Sequence, residues 1–80
     1  MENLVFPAHA LAAMRRDGLT EDDVYAVIGD YDDIVEQDTG RVEYAREMTD
    51  GRYVVVVMED DGVTLVTAWW HKRRGRRRRR

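Results

Sequence analysis

Apolar positions follow two different periods along this chain. As far as residue 29 they recur at helical spacing, and from Asp32 onward they alternate. Pro7 suits the first turn of a helix, and Leu11 and Met14, three apart, give that helix one apolar stripe among alanines. Asp17-Gly18 predicts its stop, with Gly18 free to take the left-handed conformation that closes helices. Thr20 followed by Asp23 has the form of a capping box. Glu21, Asp22 and Asp23 place three acids at the positive end of a second helix dipole. In that helix Val24, Val27 and Ile28 point inward with Tyr25 beside them, and Gly29 ends it.

The alternating half predicts four strands, at 33–36, 41–48, 53–59 and 63–70. Each junction carries turn chemistry: Asp38-Thr39-Gly40, Thr49-Asp50-Gly51 and Asp60-Asp61-Gly62. Connections this short join antiparallel neighbours, so the sheet should be a meander. The third strand is apolar on both faces and belongs in its middle, whereas the second is apolar on one face only. The expected fold is α+β, with two N-terminal helices on one face of a four-stranded antiparallel meander (ααββββ). Nothing else in the chain can bury the helices' apolar stripes. The other face is then left to water or to a partner. Trp69 and Trp70, adjacent in a strand, point to opposite faces, so one is expected in the core and the other is a candidate contact residue.

Eighty residues make one small domain with a thin core, and a deep active-site cavity is not expected. Without cysteine there is neither a disulfide frame nor a thiolate metal site. The N-terminal residues lack a basic region, their apolar run stops at Pro7, and the longest apolar run, 53–58, is too short to span a membrane. A cytoplasmic protein without membrane contact is therefore expected. The formal charge of −3 conceals a division. Residues 1–70 carry 16 acidic and 5 basic side chains, whereas 71–80 carry eight basic ones and no acid. That division predicts a single domain at 1–70 and a basic, flexible tail at 71–80.

Chemistry is sparse. His9 is the one histidine of the first 70 residues, and an imidazole there can serve as a general base, as a partner contact, or as a helix-start side chain packed on the sheet. The acids at 30–33 and 59–61 lack the spacing of a calcium loop, so solvated turns are expected, with no metal and no cofactor. Lys72, Arg73 and Arg74, then Arg76, Arg77, Arg78 and two further arginines, can bind nucleic acid through counterion release or fold back on the acidic body.

Several separated motifs occur in order: His-Ala-x-x-x-Met from His9, Gly-Leu-Thr-Glu-Asp-Asp-Val from Gly18, Gly-Arg-x-x-Tyr from Gly40, a valine-rich strand, Asp-Gly, and Val-Thr-Ala-Trp-Trp ending at Trp70. Over about residues 6–70 the chain resembles the domain-of-unknown-function family 4258. Members of that family look like distant relatives of small ribonuclease toxins of the RelE and BrnT type. The resemblance implies a metal-free ribonuclease in which basic and aromatic side chains on an open sheet face position RNA. The matching positions are His9, Tyr44, Arg46 and His71. The family pattern has an arginine four residues after the histidine and another just before the glycine, where this chain has Ala13 and Asp17. Arg16, two turns from His9, is the candidate substitute. Tyr44 and Arg46 share a strand face and suit base stacking and phosphate binding, with Arg41 joining from the strand end. The alternative for these three is pairing with Glu43, Glu47 or Glu59 across strands.

Three functions remain open on this reading. One is a binding module with a degenerate ribonuclease-type site that holds an antitoxin-like protein. The second is an RNA endonuclease using His9, Arg16 and Arg46. The third is a nucleic-acid tether working through the tail.

Overall fold

The computed structural model describes residues 3–72. It contains α1 (Ala8–Arg16), α2 (Glu21–Gly29), β1 (Asp33–Glu36), β2 (Val42–Glu47), β3 (Arg52–Met58) and β4 (Leu65–Lys72). The strands form one antiparallel sheet in the order β1-β2-β3-β4, the meander the turns predict. β4 runs two residues past Trp70, so His71 and Lys72 are sheet residues rather than tail. Residues 73–80, and the nucleic-acid role expected of Arg73, Arg74, Arg76, Arg77 and Arg78, lie outside the described residues.

Both helices pack on the same face. Val54, Val56 and Met58 of β3 share a core with Ala10 and Met14 of α1, Val24 and Val27 of α2, and Leu65 and Ala68 of β4. α1 lies on β4, and α2 lies on β2 and β3. Because strand side chains alternate, Tyr53, Val55 and Val57 point the other way, and no described element covers them. This face is called the uncovered face below.

The contact stripe of α1 differs from the expected one. Ala10, Ala13 and Met14 are buried, while Leu11 is only half-buried. Small side chains face the sheet so that the helix lies close to it, and the alanines are the contact rather than its background. α2 follows expectation. The Thr20 hydroxyl accepts from the Asp23 N–H, and the Asp23 carboxylate accepts from the Thr20 N–H, completing the capping box. Ahead of α1, Val5 bridges to the start of β4 through Val63 and Leu65, and the Leu4 N–H donates to the Tyr25 hydroxyl.

The strict alternation read across 63–70 breaks at Val66. Val57 pairs with Thr67 but Met58 pairs with Leu65, so Val66 is an extra residue opposite β3. The bulge turns Leu65 onto the helix side, where it is fully buried beside Ala68. Neither tryptophan is a core residue: Trp69 is 37% and Trp70 36% exposed. Trp70 lies on the helix side but at the end of the sheet, where its indole N–H donates to the Asp17 carbonyl at the close of α1 (2.8 Å). Trp69 lies on the uncovered face.

Candidate functional site

α1 runs from the Val5–Thr64 bridge at one end of β4 to the Asp17–Trp70 hydrogen bond at the other. His9, second in the helix and exposed, is therefore at the end far from Trp70. Arg16, exposed in the last turn, is seven residues on, about 10 Å along the axis at ~1.5 Å per residue. Arg46 pairs in register with Val54, which pairs with Trp70, so it belongs to the end opposite His9 and two strands away from β4. The structure does not bring His9, Arg16 and Arg46 to one point.

Arg41, Arg46 and Arg52 are each already engaged. The Arg46 guanidinium donates to the Ala26 carbonyl in the last turn of α2 (3.1 Å) and stands 3.9 Å from the Asp30 carboxylate. It is a second donor to that carbonyl, which also accepts from the Asp30 N–H at the close of α2. Arg41 pairs with Glu59 across β2 and β3 at 3.3 Å, the cross-strand alternative. Arg52, which the sequence did not single out, bonds Asp50 at 2.8 Å and Asp23 at 3.4 Å and lies 5.9 Å from the Trp70 ring centre. It clamps the start of α2 to the start of β3. Its only sequence signal is its position straight after the Thr49-Asp50-Gly51 turn. The Arg52 backbone N–H, helped by the guanidinium against some desolvation, holds the Asp50 carboxyl below the usual carboxylate range.

Tyr44 and Arg46 share a face, as alternation requires, but it is the helix side and not the uncovered one. Tyr44 is half-buried and packs edge-on against Tyr31 at 5.2 Å. Ala13, one turn after His9, is buried at 8% exposure.

The acids considered as cation ligands are held by protein groups: Asp33 by Tyr53, Asp30 by Arg46 and Glu59 by Arg41, while Asp61 builds a turn. The Asp61 carboxylate accepts from the Val63 and Thr64 N–H groups and from the Thr64 hydroxyl. Those bonds, the hydroxyl first, lower its pKa. Asp32 accepts from the Glu47 N–H. Among the described residues no group of three or more His, Asp or Glu side chains is placed to hold a metal ion. No described helix is long and apolar enough to cross a membrane.

The uncovered face has a distinct composition. Its rows across the sheet are His71–Tyr53–Glu47, then Trp69–Val55–Ala45–Asp33, then Thr67–Val57–Glu43–Val35. Ala45, Val55 and Val57 are buried although no described element lies on them. Trp69 and Val35 are exposed beside them. Tyr53 stacks obliquely on His71 at 5.3 Å, and its hydroxyl donates to the Asp33 carboxylate. Among the described residues neither Glu43 nor Glu47 has an ion-pair partner. Arg41, at the far end of the face, is taken by Glu59. The result is an apolar strip with aromatic side chains at one end and, beside it, Glu43 and Glu47, which have no ion-pair partner among the described residues.

The model of a family, described as a domain of unknown function (DUF4258), matches residues 6–70, and the chain belongs to that family. Comparison with curated proteins and with solved structures finds no match.

Proposed function

We propose that this domain is a binding module that works through the uncovered face of its sheet. Its ligand is a protein segment in which basic side chains flank apolar ones. The observation that carries this reading is the face itself: Trp69, Val55 and Val57 form an apolar strip bordered by Glu43 and Glu47, which lack cationic partners among the described residues. Aromatic and apolar groups supply most of the binding energy at protein interfaces, and acids at the rim select a basic partner. An antitoxin-like protein is a partner of this kind.

A metal-free ribonuclease needs a base and a cation within reach of one phosphate. The separation of His9 from Arg46, and the engagement of Arg46 by Ala26 and Asp30, weigh against that alternative. So does the excess of 16 acids over 5 basic groups in residues 1–70, which repels RNA from the body of the domain.

The test uses a fluorescent peptide of alternating arginine and leucine, and separately a labelled RNA, with the full-length chain. Peptide binding should be lost in Trp69→Ser and kept in His9→Ala, with RNA left intact by all three proteins. RNA cleavage that disappears in His9→Ala would make the protein a ribonuclease. Peptide binding unaffected by Trp69→Ser would remove the face from the account.

A further inference from the structure

We infer that the uncovered face is also a docking site for the chain's own segment 73–80, so that segment and partner compete for it. This inference rests on the binding reading above and adds its regulation. Three independent observations favour this occupant.

Charge is the first. Of the eight residues 73–80, seven are arginine and one is Gly75. On the helix side, Arg52 already serves Asp23 and Asp50, and Arg46 serves Asp30. On the uncovered face Glu43 and Glu47 have no such partner among the described residues.

The second is the chemistry of the two tryptophans. Trp70, on the helix side, has the Arg52 guanidinium over its ring. Trp69 presents the same surface on the other face, 37% exposed, with no guanidinium over it among the described residues. Arginine stacks on aromatic faces while its fork binds carboxylate, so one residue type satisfies both parts of this surface.

Reach is the third. The segment leaves β4 after Lys72, next to His71, and His71 stands in the same row as Tyr53 and Glu47. Eight extended residues span about 26 Å, and the centres of four strands span about 14 Å. Glu47, two strands from His71, is therefore within reach of the first few arginines, and Glu43 within reach of the later ones.

The face and the segment neutralise one another only while both are at low ionic strength, since exposed pairs are screened over ~3 Å at 1 M salt. A partner of the proposed chemistry competes with the segment, so removal of the arginines raises its affinity.

The test exploits the absence of cysteine: Arg79→Cys gives one attachment point for a nitroxide on the full-length chain. The readout is the loss of methyl NMR intensity along β3. Val55 and Val57 face the uncovered side, and Val54 and Val56 face the helices on the same strand. The expected result is broadening of Val55 and Val57 methyls at low salt that is clearly stronger than that of Val54 and Val56. That broadening should be lost at 1 M salt and in the Glu43→Gln, Glu47→Gln double variant, and kept in a control with Glu21→Gln and Asp22→Asn. Equal broadening on both sides, none at low salt, or broadening indifferent to the two glutamates would overturn the inference. Such a failure leaves the peptide experiment untouched, because loss of peptide binding in Trp69→Ser does not depend on where residues 73–80 lie.

Discussion

Val55 and Val56 are neighbours in β3, both buried, Val56 under the helices and Val55 on the face that no described element covers. Changing each to alanine removes the same atoms and costs the same strand preference, so any difference reports what lies above them. Transfer of two methyl groups accounts for about 1.6 kcal/mol at either position. At Val56 the cavity is enclosed by helix and sheet and collapses poorly, which adds about 1 kcal/mol, for a loss of about 2.5 kcal/mol. At Val55, Trp69 and the neighbouring side chains settle into the space or water fills it, and the loss should stay near 1 to 1.5 kcal/mol, roughly the transfer part alone. In a domain of this size that corresponds to Tm drops of ~10–20 °C for Val56→Ala and ~4–12 °C for Val55→Ala. Urea unfolding of both variants, with unchanged m-values, reads the difference in kcal/mol. Equal losses, or a larger loss for Val55→Ala, would refute the one-sided layering from which the uncovered face is derived.

Three further outcomes follow from particular contacts. Thr20→Ala should lower stability by about 1 kcal/mol through loss of the capping box, measured by thermal unfolding. Arg46→Met should lower Tm without changing peptide or RNA binding, because its guanidinium serves the Ala26 carbonyl; altered RNA affinity at unchanged Tm would assign it to a nucleic-acid site instead. The Asp61 carboxyl titrates below the usual carboxylate range in the folded state, so its contribution is complete above the ordinary carboxylate pKa and is lost as pH falls through the lower folded value. Asp61→Asn should accordingly be less stable than the parent at neutral pH. The gap should close under acid conditions, as read by urea midpoints across a pH series.

The architecture was legible because its signals are local. The Thr20–Asp23 box and the Asp-Gly or Thr-Gly turns each fix a boundary from adjacent residues, and the positive φ of Gly40 and Gly51 supplies the backbone conformation those hairpins need. What escaped the sequence depends on contacts between distant segments. Periodicity does not foresee the Val66 bulge: strict alternation would put Leu65 on the face of Trp69, whereas it lies in the core. Alanine carries little hydropathy signal, which hid the contact stripe of α1. The candidate site suffered most. That Tyr44 and Arg46 share a strand face follows from alternation, but which layer lies over that face does not. Arg52 was missed because its partner Asp23 is 29 residues away in sequence.

The central claim is that partners meet this domain on the uncovered face, and a photo-crosslinking side chain tests it most directly. A benzophenone-bearing residue replaces either Thr67, on that face, or Ala12, exposed on the outer side of α1. The account predicts that the arginine–leucine peptide crosslinks to full-length protein labelled at position 67 and not to protein labelled at 12, and that Trp69→Ser abolishes the adduct. Adducts formed chiefly from position 12, or an adduct at 67 that survives Trp69→Ser, would contradict it.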